Sequence, residues 1–282
     1  MNKTTQLREL MKKGLVVAPF TFDAFQAKIA ESVGFDAIYM TGFGTAAARG
    51  YPDVGLVTQT EMVQNAKYIA NAVDIPVICD SDTAYGNPIN TWRTVQEYEM
   101  VGVAGIHIED QVFPKKCGFF EGKLVVPLED HVQKIRAALD ARKDKDFVII
   151  ARCDALAVNG WEDTKQRCRA YHEAGADLVF VDGIRTEEEL DAYANDLSDL
   201  PRFYNGMLRP TQEIEKMGFK INITGNTLGV IFNAVKDSLT QLKDTGTVDR
   251  SGRRDGLTDL LGLPRIYEME QQYGVTDSVT TS

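Results

Sequence analysis

The sequence has few cysteines that could form disulfides and no long apolar run that could anchor it in a membrane. Its 282 residues include four cysteines, none in C-x-x-C spacing, and three histidines. A chain of this length buries a large core without disulfides, so free thiols in a reducing, cytoplasmic compartment are predicted. No apolar run approaches the roughly 18 residues of a membrane span, and no early apolar segment resembles a signal peptide. We therefore expect no membrane partner.

Basic residues are also in deficit. The chain has 31 Lys and Arg against 41 Asp and Glu, which gives a formal net charge of -10 at pH 7. Nucleic-acid binding depends on a basic face that displaces counterions, so the acidic balance argues against a nucleic-acid partner. A small anionic substrate is still allowed, because a site can be locally positive within an acidic protein.

Short apolar runs alternate with longer segments of helical spacing over residues 1–244. The runs lie at 15–18, 37–40, 76–79, 105–108, 147–151, 177–181, 202–204 and 220–223. Such runs are typical of parallel strands buried on both faces. Eight of them predict an α/β fold, a (β/α)8 TIM-type barrel. A doubly wound open sheet is the alternative, but no G-x-G-x-x-G turn follows the first strand.

Helices are predicted between the strands and beyond the barrel. Their segments are 24–33, 60–73, 91–101, 128–142, 163–174, 187–195, 211–217 and 228–243. Residues 245–282 form the second predicted region, a polar linker, a helical arm near 257–273 and a flexible tail rich in Ser and Thr. A single arm cannot bury its own apolar face, so we expect it to pack on its barrel or on a neighbouring subunit.

Acidic residues follow two neighbouring strands, where barrels place their catalytic groups. Asp80 and Asp82 end the third strand and Glu109 ends the fourth, and Asp53, within residues 51–55, could add a further carboxylate behind them. Carboxylate oxygens are the ligands that Mg²⁺ prefers. Helix capping by Asp80 or Asp82 is the alternative, but it leaves the acid on the adjacent strand unexplained. The pattern predicts a site for Mg²⁺, with Mn²⁺ as a second choice.

Other strand ends supply groups for an anionic substrate. Arg152 follows the fifth strand, and guanidinium binds carboxylates in a bidentate manner. Small residues after the second strand let backbone N–H groups approach an anion, although a plain turn explains them equally well. Turn formation is likewise the alternative for the residues after strands six and seven. The predicted substrate-binding residues are Tyr39, Thr41, Gly42, Phe43, Gly44, Asp80, Arg152, Asp182 and Asn205.

A long loop separates the fourth strand from the next helix. Long loops within compact barrels are typical of lids. This one contains Cys117, preceded by Lys115 and Lys116 and followed by Gly118. Nearby cations lower the pKa of a thiol, which predicts a reactive Cys117. An incidental loop cysteine is the alternative. The predicted catalytic residues are Cys117, Lys116 and Arg152.

Four stretches resemble one enzyme superfamily in order and spacing, over about residues 15–245. They are Asp80 to Gly86, Gly105 to Gln111, Lys115 to Gly118 and Ala151 to Ala155. Together they resemble the isocitrate lyase/phosphoenolpyruvate mutase superfamily. The resemblance implies an α/β barrel, Mg²⁺ at the acids, a 2-hydroxy or 2-oxo acid ligand and a mobile gating loop. It also implies a homotetramer, a dimer of dimers, in which subunits exchange the eighth helix.

The Lys-Lys-Cys-Gly loop is similar to the carbon–carbon lyase branch, which includes methylisocitrate lyase, dimethylmalate lyase, oxaloacetate hydrolase and petal death protein. Residues 51–55 are similar to the dimethylmalate lyase and oxaloacetate hydrolase group. The chain departs from the lyases at Phe119, where histidine is usual, at Ala84 for glycine and at Cys153 for threonine. Arg209 lies in a further divergent stretch. Phe119 and Arg209 suggest an altered, more apolar substrate pocket.

This resemblance implies Mg²⁺-dependent cleavage of a 2-hydroxy dicarboxylate, of the 2-methylisocitrate or 2,3-dimethylmalate type, to a 2-oxo acid and a carboxylic acid. Cys117 would supply the proton to the carbanion. Oxaloacetate hydrolysis or decarboxylation, or P–C chemistry on phosphonopyruvate, is the alternative for the same site. A third hypothesis is a non-catalytic binding protein, and only Phe119 supports it.

Overall fold

The computed structural model describes residues 1–225, 227–248 and 256–275. The chain divides into two units, Met1–Asn226 and Thr227–Ser282. The predicted boundary after residue 244, which assigns the eighth helix to the barrel, stays a prediction. The predicted linker at 249–255 and the predicted tail at 276–282 lie outside the described residues.

Eight parallel strands of the first unit close into a barrel, which confirms the predicted fold. Each strand pairs with the next in chain order, and the eighth pairs with the first. The strands are β1 (Val16–Thr21), β2 (Ile38–Met40), β3 (Val77–Asp80), β4 (Gly105–Glu109), β5 (Val148–Cys153), β6 (Leu178–Val181), β7 (Arg202–Asn205) and β8 (Ile221–Thr224). Every predicted run overlaps one of them, because strands buried on both faces have little room for polar residues.

Helices surround the strands of the first unit. They are α1 (Lys3–Lys13), α2 (Ala24–Ser32), α3 (Gly42–Ala48), α4 (Gln59–Ala72), α5 (Pro88–Met100), α6 (Leu128–Ala141), α7 (Leu156–Asn159), α8 (Trp161–Glu173), α9 (Glu187–Asp196) and α10 (Thr211–Lys216). The sequence did not predict α1, α3 or α7. The expected turn after β2 is the start of α3, where the hydroxyl of Thr41 accepts the Gly44 N–H at 3.3 Å.

The second unit is helical in its described part. It contains α11 (Thr227–Thr245), α12 (Leu257–Leu260) and α13 (Leu263–Tyr273). The predicted arm at 257–273 is therefore two helices. The break falls at Gly262, whose φ of 83° is left-handed and ends a helix at little cost for glycine. No described helix has the length and apolar content to cross a membrane.

The barrel interior explains which end carries the site. Its apolar cluster includes Ile78, Val148, Phe180 and Phe203, and Leu7 of α1 belongs to it with no exposed surface. Arg8 of α1 donates to the carbonyl of Phe147, just before β5 begins. Helix α1 thus covers the amino-terminal end of the barrel, and the opposite, carboxyl end is left for polar side chains.

Candidate active site

The acids at the ends of β3 and β4 are held by backbone groups. Asp80 accepts the Gly42 N–H at 3.1 Å on one oxygen and the Asp82 N–H at 2.9 Å on the other. The N–H of Glu109 donates to the Asp82 carbonyl at 3.0 Å. All three predicted acids are buried. The sequence-based expectation that they lie together at one strand edge agrees with this arrangement.

Residues 80–86, which we call the acidic loop, have a strained backbone. Asp82, Ala84 and Tyr85 have φ values of 48°, 58° and 59°, a left-handed conformation that costs roughly 1–2 kcal/mol for a non-glycine residue. Its carbonyls are fixed from outside, by Tyr98 at Asp80 (3.0 Å), by Thr94 at Ala84 (3.2 Å) and by Lys134 at Thr83 (2.6 Å). Ala84 therefore keeps the conformation that glycine would adopt more easily.

Lys115 lies among the acids, and the sequence did not predict this. Its ammonium is 2.6 Å from Asp53 and 2.7 Å from Asp82, and the residue is 2% exposed. Burial would lower the pKa of Lys115, but Asp82, Glu109, Asp80 and Asp53 raise it well above its ordinary value. Lys115 is therefore a permanent cation here.

Lys116 has a different position. Its ammonium donates to the carbonyl of Glu121 at 3.2 Å on the exposed side of the loop. The predicted catalytic role of Lys116 stays a prediction, with no contact to the acids among the described interactions to support it. Lys115 is the better candidate for a lysine that acts at the site.

Each acid has a distinct electrostatic environment. Burial raises the pKa of Asp80, but His107, Lys115 and Arg152 outweigh it and hold the value at about 2. Burial raises the pKa of Asp82 to about 6 against the charge of Lys115. Burial also raises the pKa of Glu109 well above its usual range. The site therefore holds one firmly ionised carboxylate beside two that take up protons more readily.

The donor set fits a hard cation. Within the described residues, neither oxygen of the buried Glu109 accepts a well-directed hydrogen bond, although Arg152 is 3.3 Å from Oε2, and the same holds for Asp82 Oδ1, although Lys115 is 2.7 Å away. Buried carboxylate oxygens without a well-directed donor are unusual, and a cation would satisfy them. In the described residues, no three acidic, histidine or cysteine side chains lie close enough to hold a metal as they stand. The predicted ligands Asp80, Asp82, Glu109 and Asp53 stay a prediction.

Arg152 connects three strand ends. Its guanidinium contacts Asp154 at 2.8 Å, Asp182 at 2.7 Å and Glu109 at 3.3 Å. Asn205 donates to Asp182 at 2.9 Å. The structure thus brings Arg152, Asp182 and Asn205 together. Because chain carboxylates surround the guanidinium, a substrate carboxylate must displace one of them to reach it.

Tyr39 and the start of α3 lie beside this network. The Tyr39 hydroxyl is 2.6 Å from His107 Nε2 inside the barrel. Burial lowers the pKa of His107 to about 4, so its ring is neutral at pH 7. The N–H groups of Gly42 and Gly44 already donate, to Asp80 and to Thr41, and the Phe43 side chain is 41% exposed. The predicted anion-binding backbone is therefore largely engaged within the chain.

The covering loop, residues 111–126, closes over the acids. The Cys117 N–H donates to the Asp53 carbonyl at 3.0 Å. Lys123 donates to the Gly118 carbonyl at 2.5 Å and to Asp154 at 3.1 Å. A Cβ on Gly118 would lie 1.6 Å from Asp182 Oδ2, so only glycine fits this approach. Lys123 and Asp154 are site residues that the sequence did not predict.

Further hydrogen bonds hold the two ends of the covering loop. The Gln111 side chain bonds the backbone of Lys116 through both its oxygen and its nitrogen, at 2.9 and 2.8 Å. The Val126 N–H donates to the Asp110 carbonyl at 2.9 Å. Arg167 donates from one nitrogen to Asp110 (3.2 Å) and to the Val126 carbonyl (2.9 Å). Both ends of the loop are therefore held at one place.

The environment of Cys117 differs from the prediction. Burial raises the pKa of the Cys117 thiol, whereas the neighbouring lysines were expected to lower it. The reason is geometric, since the ammonium of Lys116 faces away and that of Lys115 is paired with Asp53 and Asp82. The thiol is protonated at neutral pH, which suits a proton donor.

We expect Cys117 to be alkylated slowly in the native protein. At pH 7 its rate with iodoacetamide should be below that of a free cysteine and should rise with pH, because the thiolate is the nucleophile. Cys79, Cys153 and Cys168 are buried and should react only after unfolding. Mass spectrometry of peptides after timed exposure measures both rates. Labelling of Cys117 at pH 7 as fast as that of free cysteine contradicts the raised pKa.

Two divergent residues have definite places. Phe119 is 47% exposed, its carbonyl accepts from Arg185 at 3.1 Å, and the Arg185 guanidinium lies 5.9 Å from its ring centroid. Phe119 therefore ties the loop to the segment before α9. Arg209 forms ion pairs with Glu187 and Asp191 at 3.0 and 2.8 Å. The suggestion that Arg209 shapes the substrate pocket is not supported by these contacts.

The site combines acids at the ends of β3 and β4, an arginine on β5 and a Lys-Lys-Cys-Gly covering loop. This combination is typical of one superfamily of barrel enzymes. The phosphoenolpyruvate phosphomutase family matches residues 7–243. The chain belongs to the PEP mutase/isocitrate lyase superfamily, in its carbon–carbon lyase branch. It is an enzyme, and the resemblance to this superfamily that its sequence motifs indicated is confirmed.

Two relatives span most of the chain. It is 42% identical over 285 residues to 2,3-dimethylmalate lyase of Eubacterium barkeri, covering 97% of this chain and 99% of the relative. It is 38% identical over 267 residues to 2-methylisocitrate lyase of Aeropyrum pernix, covering 91% and 86%. Both relatives are lyases by name.

Two solved structures are similar over nearly their whole length. Oxaloacetate acetylhydrolase in complex with 3,3-difluorooxalacetate has a TM-score of 0.91 and 36% identity, with 97% of each chain covered. Phosphonopyruvate hydrolase in complex with oxalate and Mg²⁺ has a TM-score of 0.89 and 30% identity, with 97% of this chain and 99% of that chain covered. A metal ion and a small organic acid thus occur together in one structural relative.

Proposed function

We propose that the protein cleaves the C2–C3 bond of a 2-hydroxy acid with two or three carboxylates, of the 2,3-dimethylmalate or 2-methylisocitrate type, with Mg²⁺ as cofactor and Mn²⁺ as a substitute. The observation that carries the proposal is Cys117, a protonated thiol that the covering loop holds beside the acids through its N–H contact with Asp53. Cleavage leaves a carbanion that needs a proton, and a half-buried, protonated thiol is a suitable donor.

Asp80, Asp82 and Glu109 would hold Mg²⁺, with Asp53 behind them, and the metal would polarise the 2-hydroxyl and one carboxylate of the substrate. Binding of the cation to Asp53 or Asp82 requires Lys115 to move, because its ammonium lies against both. The displaced ammonium then becomes available to a substrate carboxylate. We therefore propose that Lys115 neutralises Asp53 and Asp82 before the metal binds and a substrate carboxylate afterwards.

The remaining steps use the chain's own groups. Arg152 binds the carboxylate next to the reacting carbon, and the polar groups of Asp182 and Asn205 orient the guanidinium. The hydroxyl proton leaves to a carboxylate at the mouth of the barrel. The deprotonated hydroxyl oxygen would form the C2=O bond of the 2-oxo acid as the C2–C3 bond breaks. The C2–C3 electron pair would pass to C3, which would take the proton of Cys117 and leave a thiolate that regains a proton before the next turnover. The closed covering loop excludes water, so that the carbanion is protonated only from the thiol.

Oxaloacetate hydrolysis is the second candidate, and the likeness to oxaloacetate acetylhydrolase favours it. It uses the same acids and arginine, but water attacks the oxo carbon and the products are oxalate and acetate. The exposed Phe119 does not distinguish the two reactions, since it contacts Arg185 rather than Arg152.

Product analysis tests the proposal. We expect 2,3-dimethylmalate to give pyruvate and propionate, or 2-methylisocitrate to give pyruvate and succinate, in the presence of Mg²⁺ and not after chelation. Oxalate and acetate from oxaloacetate would identify the second candidate, and phosphate from phosphonopyruvate would indicate P–C chemistry. If no product forms and Mg²⁺ does not bind, the result would favour a non-catalytic binding protein.

We propose a homotetramer in which α11 packs on the barrel of a partner subunit. The helix has no buried residue and exposes Val230, Phe232, Val235 and Leu239 by more than half. Faces of this kind are typical of subunit contacts. The four unpaired cysteines favour the cytoplasm as its compartment. Light scattering of the wild type measures the subunit number.

A further inference from the structure

A cavity lies outside the group formed by Asp53, Asp80, Asp82 and Glu109, which we call the ring of acids. This side cavity has a volume of about 460 Å³ and opens between the start of α5, the first half of α6 and the stems of the covering loop. It is lined by Thr83, Gly86, Asn87, Pro88, Gln111, Phe113, Val126, Asp130, Gln133 and Lys134. Cavities of this size are typical of small-molecule sites. The proposed reaction uses none of these side chains.

The floor of the side cavity has polar groups with unused bonding capacity. The Thr83 hydroxyl is fully buried and has no hydrogen-bond partner in the part of the chain that the structure describes, and leaving such a group unpaired costs about 1–3 kcal/mol. Lys134 is 5% exposed and donates one proton to the Thr83 carbonyl at 2.6 Å. An ammonium has three donors, so Lys134 can still bind an anion next to the Thr83 hydroxyl.

The rim of the side cavity offers the opposite charge and an apolar surface. Asp130 lies one helical turn before Lys134, and no ion pair joins them among the described contacts within 4.0 Å. Pro88, Phe113 and Val126 supply the apolar part, and Phe113 is 56% exposed. A ligand that matches Lys134, Asp130 and the apolar surface has an anionic group, a cationic group and a short hydrocarbon chain.

We propose that the side cavity binds a small aliphatic 2-amino acid. Its carboxylate would lie against Lys134, next to Thr83, its ammonium against Asp130 and its side chain against Pro88, Phe113 and Val126. A dicarboxylate of the substrate class fits less well, because its second carboxylate would face Asp130. A simple fatty acid would leave Asp130 without a partner.

The position of the side cavity connects it to both loops of the active site. Thr83 follows Asp82 in the acidic loop, and Gln111 holds the backbone of Lys116 in the covering loop. A ligand bound here contacts Thr83 and Gln111 together. The site is therefore placed where an amino acid can act on the enzyme without entering the ring of acids.

Calorimetry with L-leucine as the probe tests the proposal. The enzyme is first saturated with Mg²⁺ and oxalate, so that the active site is excluded as the source of heat. We expect one L-leucine per chain with a Kd of roughly 1 mM or below. L-Leucinamide lacks the carboxylate and 4-methylpentanoate lacks the ammonium, so each should bind at least about tenfold more weakly, which corresponds to about 1.4 kcal/mol.

Variants identify the groups responsible. Lys134→Met and Asp130→Asn should each weaken L-leucine at least about tenfold, whereas Arg136→Ala, exposed on the same helix, should bind as the wild type does. Asp130 is exposed, so Asp130→Asn keeps the test valid if Lys134→Met fails to fold. A crystal soaked with L-leucine should show it against Lys134. Absence of binding at 20-fold the expected Kd, binding unchanged in Asp130→Asn, or density elsewhere overturns the proposal.

Discussion

Replacing Cys117 by alanine should lower kcat for the physiological substrate by about 10²–10⁴-fold, the range for loss of a positioned proton donor. The thiol is half-buried, its backbone is held by Asp53, and burial keeps it protonated. Removal of the sulfur takes away the proton but leaves the acids and Arg152 in place. KM should therefore change much less than kcat, and steady-state kinetics with the product assay measures both.

The controls separate chemistry from loop structure. Cys117→Ser keeps a hydroxyl, which is a weaker acid, so its kcat should lie between those of the wild type and Cys117→Ala. Glu121→Ala changes an exposed side chain of the covering loop and should leave kcat unchanged. Unchanged turnover in Cys117→Ala would remove the thiol from the reaction and favour oxaloacetate hydrolysis by water.

Replacing Lys115 by methionine should lower the free energy of unfolding of the metal-free protein by about 3–5 kcal/mol. The ammonium lies against Asp53 and Asp82 and is 2% exposed, and loss of one partner of a buried ion pair has a cost of that size. Both carboxylates then lack their cation, so Mg²⁺ should stabilise Lys115→Met more than it stabilises the wild type. Urea unfolding with and without Mg²⁺ measures both differences.

Lys116→Met is the matched comparison for stability. Lys116 is next in the chain, but its ammonium contacts only the carbonyl of Glu121 in the described structure, so its free energy of unfolding should change by less than about 0.5 kcal/mol. An equal effect of Mg²⁺ on Lys115→Met and on the wild type would contradict competition between the ammonium and the metal.

The barrel was predictable because its signal is repeated. Each strand is a short run buried on both faces, and the runs alternate with segments that have one apolar side. Helix α3 was missed because Gly42 and Gly44 are poor helix formers and typical of turns. The two-part arm was missed because one left-handed glycine, Gly262, interrupts an otherwise continuous helical pattern.

The placement of side chains that lie directly at strand ends was predictable, and their roles in the site stay predictions. Asp80, Glu109 and Arg152 are fixed in direction by the strands that carry them. The covering loop has no such periodicity, so the sequence did not show that Lys115 faces inward and Lys116 outward. The same uncertainty explains the wrong direction for the pKa of Cys117, since adjacency in sequence says nothing about where an ammonium points.

The arginine network has a consequence for how ligands arrive. The mouth gathers six carboxyl groups around three cationic side chains, namely Asp53, Asp80, Asp82, Glu109, Asp154 and Asp182 around Lys115, Lys123 and Arg152. A dianion approaching this ring is repelled until some of the negative charge is offset. Binding should therefore be ordered, with the metal entering first and the dicarboxylate second. An inhibitor that carries its own positively charged group should bind without the metal.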